Sequence, residues 1–363
     1  MKKSYVPESL PLGSIDWVRF ITLIGQANAE LARYDGVLQG IINPAVLLSP
    51  LTTNEAVISS KIEGTQASFE EVLKYEASPE VKTEKYNDIQ EIINYREAMR
   101  SAVQWLKDKP ITLNLIRQIH GILLDSVRGK DKARGSFRTG QNYIGKPGTP
   151  VEQATYVPPS PLILAGCLDS FEKYINYDEK DRLVQLAIIH AQFEIIHPFM
   201  DGNGRLGRIL IPLFLYEKKV LDSPMFYISE YLEANRDEYY ARLLAVSEES
   251  KWDDWIEFFL KAIVTQAKAN SFKAKSVLDL YDRKKVKLSE LTHSQYVIKV
   301  LDTIFARPLF STSDFIKISK IPKESAIRLL RLLKKENILT TLRAGKGRSP
   351  EILVFNKLFD IVQ

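Results

Sequence analysis

The sequence is poor in cysteine and has no long apolar segment, and each absence excludes a class of protein. Cys167 is the one cysteine among 363 residues, which excludes an internal disulfide and fits a reducing compartment. No apolar run approaches the roughly 18 residues of a membrane span. The opening residues MKKSYVPESLPLGS lack the apolar stretch of a signal peptide. We therefore expect a cytoplasmic protein with no membrane-spanning segment.

Histidine is also scarce, with four residues. His120 and His190 lie in apolar helical patterns, and no group of cysteines or carboxylates lies near them in the sequence. A zinc site is therefore disfavoured, and we expect both imidazoles to pack in the core.

The net charge is only +5, but the two signs are unevenly distributed along the chain. Residues 271–363 contain 19 Lys and Arg against 9 Asp and Glu, whereas residues 1–270 contain 31 against 36. This predicts a basic C-terminal module on a mildly acidic body. Such a module either contacts nucleic acid or is an ordinary solvated surface.

Apolar residues recur at spacings of three and four over most of the chain, which predicts a mostly α-helical fold. The predicted helices span residues 16–34, 52–62, 68–77, 86–106, 112–126, 161–176, 181–196, 204–219, 229–248 and 252–277. We expect an N-terminal helical region at 1–100, a central domain at 101–265 and a C-terminal domain at 290–363. The basic run RKKVK at 283–287 is interpreted as a linker.

The segment 128–161 interrupts the helices with Gly, Pro and Thr around two β-capable pieces, QNYIG and ATYVPP. This composition predicts a long ordered flap that contains a β-hairpin. Loops of this length in compact domains are usually functional.

The C-terminal domain shows three short helical patterns, at 293–306, 312–319 and 322–336, followed by the β-rich pieces ILTTLR and EILVF. Three helices and a β-hairpin are typical of a winged helix-turn-helix. Its third helix has an apolar stripe and carries the basic residues Lys323, Arg328, Arg331, Lys334 and Lys335. These residues suit contacts with DNA phosphates, although such domains also serve as protein-binding or homodimer modules.

Residues 197–208, HPFMDGNGRLGR, combine several groups that suit phosphate chemistry. Pro198 ends the preceding helix and holds His197 at a corner. The backbone N–H groups of residues 202–204 precede a new helix, where phosphate oxygens bind readily. Asp201 offers the oxygen ligand that Mg²⁺ takes alongside phosphates. Arg205 and Arg208, one turn apart, can reach the same anion.

His197 completes this set, because an imidazole can remove a proton from an attacking hydroxyl. A base, a metal ligand, an anion cradle and two cations thus lie within twelve residues. The stretch predicts a site for phosphoryl-type transfer.

The stretch matches the Fic family signature HPFx[D/E]GNGRxxR at every fixed position. With SFRTGQNYIG, TYVPPSP and LAIIHAQFEIIHPF upstream, the chain resembles Fic proteins over roughly residues 50–260. The resemblance implies the helical Fic fold with a β-hairpin flap, and an adenylyltransferase that moves AMP from ATP to a Ser, Thr or Tyr hydroxyl of a protein. His197 would be the base, Asp201 would hold Mg²⁺, and residues 202–205 would form the anion hole.

The resemblance also implies further contacts. The flap at about 137–157 would align the target by β-augmentation, and Tyr143 and Ile144 would either clamp the target or pack beneath the flap. The expected ATP contacts are Glu63, His197, Gly202, Asn203, Gly204, Arg205, Leu206, Gly207, Arg208, Asn235, Tyr239 and Tyr240. For the last three residues, which lie in EANRDEYYARL, packing within the helix is the alternative.

A second motif, SSKIEG at 59–64, matches the inhibitory pattern [S/T]xxxE[G/N] of self-inhibited Fic proteins through Ser59, Glu63 and Gly64. It implies an inhibitory helix at about 52–64. A buried Glu63 carboxylate beside Arg208 would form a charge-assisted pair, through either one or two hydrogen bonds, and occupy the cation that the ATP γ-phosphate needs. ATP would then bind in an unproductive pose.

Two other functions stay open on the same residues. The site could transfer a different phosphate-containing group, such as UMP, phosphate or phosphocholine. Alternatively, the chain could be a DNA-binding regulator that senses a nucleotide without chemistry, although the intact His197 argues against this. The target could be another protein or the chain itself.

Overall fold

The structure is a computed structural model, and the predicted mostly helical fold is confirmed. It describes residues 4–79, 84–107, 109–125, 132–145, 150–347 and 349–363. Before residue 250 the described helices are α1 Trp17–Gln39, α2 Pro44–Leu47, α3 Ser49–Ile62, α4 Phe69–Ala77, α5 Tyr86–Trp105, α6 Leu113–Leu123, α7 Pro161–Ile175, α8 Arg182–Ile196, α9 Asn203–Glu217, α10 Ser229–Ala234 and α11 Arg236–Glu249.

Several helices begin where the sequence supplies a capping side chain. Ser68 and Glu71 form a reciprocal capping box at the start of α4. Thr112 caps α6, and Asp181 caps α8 by accepting two backbone N–H groups. These caps satisfy amide groups that a helix cannot pair internally, which fixes the helix starts locally.

The helices α8 and α9 form the centre of the core, and almost every residue of both is buried. Helix α3 packs against α5, α9 and α10, so its C-terminal end lies beside the start of α9. The Trp255 indole lies under α8 and donates a hydrogen bond to the Ala187 carbonyl at 2.7 Å. The loop between α8 and α9 is therefore held on a rigid base.

Helix α12 runs without a break over Trp252–Thr292, so the predicted linker at 283–287 is wrong. This basic run contains neither Gly nor Pro, and nothing in it interrupts a helix. Leu280 and Leu288, about two turns apart, are both buried and hold this part of α12 against its neighbours. Lys287 also pairs with Glu336 at 2.8 Å.

The C-terminal elements are α13 Val297–Ala306, β1 Leu309–Ser311, α14 Thr312–Ser319, α15 Lys323–Lys335, β2 Thr340–Arg343, β3 Ile352–Val354 and α16 Asn356–Val362. The strands form an antiparallel sheet in the order β1-β3-β2. Neither β1 nor α16 was predicted from the sequence. The winged-helix architecture and the three domain boundaries stay predictions.

The flap is an irregular segment between α6 and α7. Its described part contains one antiparallel bridge, in which Ile144 and Tyr156 exchange backbone hydrogen bonds of 2.9 and 3.1 Å. Residues 128–131 and 146–149 of the predicted flap region lie outside the described residues. None of the helices in the described ranges combines the length and apolar content that a bilayer crossing requires.

Candidate active site

His197 ends α8 with a left-handed backbone, φ +48° and ψ +60°. The following Pro198 prevents the helix from continuing. The buried Arg138 holds this corner, because its guanidinium donates to the carbonyl of His197 at 2.9 Å and also to those of Gly140 and Pro159. Arg138 thereby ties the base of the flap to the end of α8. The sequence reading did not single it out.

The protonation state of His197 follows from its neighbours. Nδ1 lies 3.3 Å from the carbonyl oxygen of Glu194, and since a carbonyl only accepts, Nδ1 carries the proton. Nε2 is then left with a lone pair. Burial lowers the pKa of His197 to about 4, so the ring is neutral at physiological pH. The structure thus gives His197 the form that a general base requires.

Asn203 closes the loop between the two helices. Its Oδ1 accepts from the Phe199 N–H at 2.9 Å, and its Nδ2 donates to the Phe199 carbonyl at 2.8 Å. Asn142 of the flap donates to the same carbonyl at 3.0 Å. The predicted ATP contact Asn203 therefore acts on the shape of the loop through its side chain.

His120 supports the loop from beneath. Its Nδ1 accepts from the Gly135 N–H at 2.9 Å, which leaves Nε2 to donate to the Asp201 carbonyl at 3.0 Å. The ring stacks on Phe199 with 3.8 Å between centroids. The expectation that His120 packs in the core is confirmed by its full burial, but its two polar contacts also connect the flap region to the loop.

The start of α9 offers backbone N–H groups that can donate hydrogen bonds to a ligand. Gly202 precedes the helix with φ +77° and provides no side-chain cap. Within the described residues, no acceptor is recorded for the backbone N–H groups of Asn203, Gly204 and Arg205. Aligned, uncapped N–H groups at a helix start are a favourable place for phosphate oxygens.

Asp201 lies at the mouth of this helix start with 43% of its side chain exposed. Its Oδ1 accepts from the Gly202 N–H at 2.6 Å and lies 3.5 Å from Nη2 of Arg205. In the described ranges, no group of three or more His, Cys, Asp or Glu could hold a metal ion. A single exposed carboxylate fits Mg²⁺, which takes most of its ligands from water and phosphate oxygens.

Arg205 is buried, and its guanidinium is oriented by Glu91, a partner that was not predicted from the sequence. Its Nη1 lies 3.1 Å from Oε2 of Glu91 in α5, and the hydroxyl of Thr65 donates to the same oxygen at 3.0 Å. This places the guanidinium beneath Asp201. The pair joins residues 114 positions apart, so no local pattern could have indicated it.

Arg208 is buried and bound to the end of α3. Its Nε donates to Oγ of Ser59 at 2.8 Å, while Nη2 donates to the Ser59 carbonyl at 2.8 Å and to Oε1 of Glu63 at 2.7 Å. The structure brings the two motifs together as predicted. The Glu63–Arg208 pair has one hydrogen bond and is not bidentate, because Ser59 takes two of the three hydrogen bonds.

The Glu63 carboxylate lies directly over Gly204. A Cβ placed on Gly204 would overlap Oε1 of Glu63, so only glycine permits this contact. Gly64 follows with φ +97° and ends the inhibitory segment. Burial acts to raise the pKa of Glu63, but the Arg208 charge, assisted by Arg205, holds that pKa below its usual value. An anionic carboxylate therefore lies against Gly204 at the start of α9.

Three of the residues predicted to contact the nucleotide, Leu206, Gly207 and Tyr239, are packed against the protein core. Leu206 is fully buried. Gly207 packs so closely on α8 that a Cβ would overlap Oε1 of Glu194. Tyr239 is 1% exposed, and its hydroxyl is 2.9 Å from Nε2 of His190. They support the core around α9, and their contact with a nucleotide stays a prediction.

His190 is buried as expected. It connects α9 to α11, because its Nδ1 lies 3.3 Å from the Gly207 carbonyl and its Nε2 contacts the Tyr239 hydroxyl. Glu194 beside it has an Oε1 with no hydrogen-bond partner among the described residues, and burial raises the pKa of Glu194 to about 8. The sequence reading did not single out Glu194.

Tyr240 and Asn235 lie nearer the open side. Tyr240 is 42% exposed, and the Arg236 guanidinium lies 5.7 Å from the centre of its ring. Asn235 donates to the Tyr231 carbonyl at 2.9 Å, which uses its amide within the helix turn. Arg236 also donates to the Ile62 carbonyl at 2.8 Å and fastens the end of α3. Tyr240 thus remains a candidate for contact with a bound nucleotide.

The flap residues Tyr143 and Ile144 are 44% and 40% exposed. The backbone of Ile144 is paired with Tyr156, whose hydroxyl donates to the Ile195 carbonyl at 2.8 Å. The exposed side chains therefore stand on a strand segment that is attached to the end of α8.

Comparison with known proteins agrees with this geometry. Residues 21–104 match the model described as Fic/DOC family N-terminal, and residues 110–215 match the Fic/DOC family model. A probable protein adenylyltransferase of Aquifex aeolicus is 24% identical over 300 residues, which cover 82% of each chain. The protein adenylyltransferase Fic of Drosophila mojavensis is 33% identical over 111 residues, 29% of this chain and 19% of that protein.

Solved structures show the same fold. A Fic family protein from Desulfovibrio desulfuricans superposes with a TM-score of 0.60 at 18% identity, covering 96% of this chain and 98% of that one. Fic-1 from C. elegans superposes with a TM-score of 0.53 at 20% identity, covering 72% of this chain and 73% of that one.

Proposed function

The chain belongs to the Fic/DOC family, and from this we propose that it transfers AMP from ATP to a hydroxyl group of a protein. The names of the Aquifex and Drosophila relatives support this reaction. The observation that carries the proposal is a neutral His197 beside a helix start whose free N–H groups are flanked by Arg205 and Arg208.

In the proposed complex, the triphosphate lies at the start of α9. The N–H groups of residues 203–205 donate to phosphate oxygens, and the helix dipole adds favourable potential. Arg208 pairs with the γ-phosphate once Glu63 has moved away. Asp201 holds Mg²⁺, which neutralises phosphate charge when it is bound. We infer that Tyr240, whose ring is 42% exposed, contacts the nucleoside.

The chemical step is a displacement at the α-phosphorus. The target hydroxyl oxygen forms a bond to that phosphorus while Nε2 of His197 takes the hydroxyl proton. The bond from the α-phosphorus to the oxygen of the β-phosphate breaks, and pyrophosphate leaves. Because phosphoryl transfer depends mainly on positioning and charge stabilisation, the contacts of Asn203, Arg138 and His120 matter by fixing the loop.

The flap supplies the surface for the target. We infer that the target segment pairs with the flap backbone near residues 142–145 and packs against Tyr143 and Ile144. Backbone pairing reads chain geometry and not side chains, so the hydroxyl could come from more than one residue type. The hydrogen bonds from Asn142 and Tyr156 to the α8–α9 region keep the flap aligned with His197.

The contact of Glu63 with Arg208 supports self-inhibition. While Glu63 is in place, its carboxylate repels a γ-phosphate and occupies the surface of Gly204. ATP can then bind only with its phosphates displaced from the N–H groups. We propose that the resting protein is inactive for this reason.

The proposed activity is tested by incubating the Glu63→Gly variant with ATP labelled at the α-phosphate, with and without Mg²⁺. We expect protein-bound label and, by mass spectrometry, a mass increase of one AMP. The Glu63→Gly, His197→Ala double variant serves as the matched control and should incorporate no label. Equal labelling by both variants, or label from the γ-position only, would contradict the proposal.

A further inference from the structure

The helix pair α14 and α15 presents a basic surface that the proposed transferase does not use. A three-residue turn joins the helices, with Lys320 in the left-handed region and Pro322 before α15. The inner side of α15 is buried through Ala326, Leu329, Leu330 and Leu333. The opposite side of α15 is therefore free to meet a partner.

Six exposed cations cover α14, the turn and the outer side of α15. We call them the basic face: Lys317, Lys320, Lys323, Arg328, Arg331 and Lys335. Three of them, Arg328, Arg331 and Lys335, follow a spacing of three and four and so form one stripe along α15. None of the six lies within ion-pair distance of a carboxylate in the described ranges.

Two of the four neighbouring acids form ion pairs with lysines outside the basic face. Glu351 pairs with Lys334 at 2.8 Å, and Glu336 pairs with Lys287 at 2.8 Å. The Asp314 carboxylate accepts from the Ser311 hydroxyl at 2.7 Å. Glu324 is one exposed carboxylate on α15 without an ion pair among the described residues. The basic face therefore carries a net positive charge that its own surroundings do not balance.

We propose that the basic face binds duplex DNA. Helix α15 has 13 residues and is about 20 Å long, and it can lie in the B-form major groove, which is about 12 Å wide. Cations on the exposed stripe and on the turn would meet the phosphates that border the groove. Duplex RNA fits less well, because its A-form major groove is too narrow for a helix.

The test measures fluorescence anisotropy of a labelled DNA duplex of about 30 base pairs with the full chain. With three to six phosphate contacts, affinity should fall about 40-fold to about 2,000-fold between about 50 and 200 mM salt. The triple variant Arg328→Ala, Arg331→Ala, Lys335→Ala should reduce the slope of log K against log salt by about 2.7.

The matched control removes the same charge elsewhere, through Arg100→Ala, Lys173→Ala and Lys268→Ala, which are exposed residues of the helical body. It should bind DNA like the unaltered chain. All the substituted residues are exposed, so the Tm of these variants should equal that of the unaltered chain. AMP labelling in the Glu63→Gly background should persist in each of them. The DNA result is thereby independent of the proposed transferase activity.

Several outcomes would overturn the proposal. One is the absence of binding at the lowest salt, and another is an equal loss of affinity in the control variant. Tighter binding to a duplex RNA of the same length would assign the basic face to RNA. Equal competition by polyglutamate would assign it to acidic proteins.

Discussion

Nη2 of Arg208 donates to Oε1 of Glu63 at 2.7 Å, and this contact joins the inhibitory segment of α3 to the last residue of the catalytic signature. The two residues are 145 positions apart in the sequence. Arg208 is buried, whereas a third of the Glu63 side chain remains exposed. Water and nucleotide can therefore reach the carboxylate, so the contact can open without unfolding the core.

Replacing Glu63 should remove the proposed self-inhibition. We expect Glu63→Gly to raise AMP labelling at least about tenfold, which corresponds to about 1.4 kcal/mol of barrier, because Arg208 becomes available to the γ-phosphate. Glu63→Gln should give an intermediate rise, since a neutral amide still accepts from Arg208. Lys61→Ala, an exposed neighbour, should leave labelling unchanged.

Thermal unfolding provides a second measurement on the same variants. Glu63→Gly leaves the Arg208 charge unpaired and should lower the Tm, while ATP with Mg²⁺ should then raise the Tm more in the variant than in the unaltered chain. Equal Tm shifts on adding ATP would show that Glu63 does not compete with the nucleotide.

The pH dependence of AMP labelling should follow the protonation state of His197. Its pKa is lowered to about 4, and the neutral base is present above that value and lost as the pH falls through it. Labelling by Glu63→Gly should therefore be flat from about pH 5.5 to 8 and fall below, instead of falling near the ordinary histidine pKa of about 6.5. Brief pH-jump assays avoid acid unfolding. A midpoint near 6.5 would contradict the burial argument.

His120 should position the loop without touching substrate. His120→Phe keeps the stacking on Phe199 but loses the hydrogen bonds to Asp201 and Gly135, so kcat in the Glu63→Gly background should fall about tenfold or more. His120→Gln restores a donor toward the Asp201 carbonyl, and His120→Asn restores an acceptor toward Gly135. Partial rescue of kcat by Gln but not by Asn would identify Asp201 as the contact that matters. An unchanged kcat in His120→Phe would indicate that His120 acts through packing alone.

Protein stability should pass through a maximum near pH 6.5. Burial lowers the pKa of His120, His190 and His197 to about 4, 3 and 4, so the unfolded chain binds more protons and stability falls as the pH drops below about 6.5. Burial raises the pKa of Glu55 to about 7 and of Glu194 to about 8, so stability also falls as the pH rises through 6.5 to 8.

Glu194→Gln tests the alkaline side of this curve. An amide cannot ionise, so the decline of Tm between about pH 6.5 and 8 should become shallower in the variant. Glu152→Gln, at an exposed glutamate of the flap region, is the control and should keep the original curve. An unchanged alkaline decline in Glu194→Gln would show that Glu194 is not protonated in the folded protein.

Local sequence patterns were sufficient to predict most helices and the central residues of the candidate site. Ser68, Thr112 and Asp181 start helices where the sequence places them, and His197 and Pro198 end α8 as predicted. The linker predicted at 283–287 is wrong, because Leu280 and Leu288 on either side of it are buried and hold this part of α12 against its neighbours. The burial of Tyr239 could not be predicted locally, because it depends on Trp255 and His190, which lie elsewhere in the chain.

By itself the sequence determined the order of the helices, the α8–α9 loop with its histidine, glycines and arginines, and the SSKIEG motif at 59–64. These features depend on neighbouring residues, whose hydrogen bonds and spacing act over one or two turns. Only the tertiary structure decided which partners direct those groups: Glu91 for Arg205, Ser59 and Glu63 for Arg208, and His120 for Asp201. These contacts join distant parts of the chain, because core packing brings α3, α5 and α6 against α9.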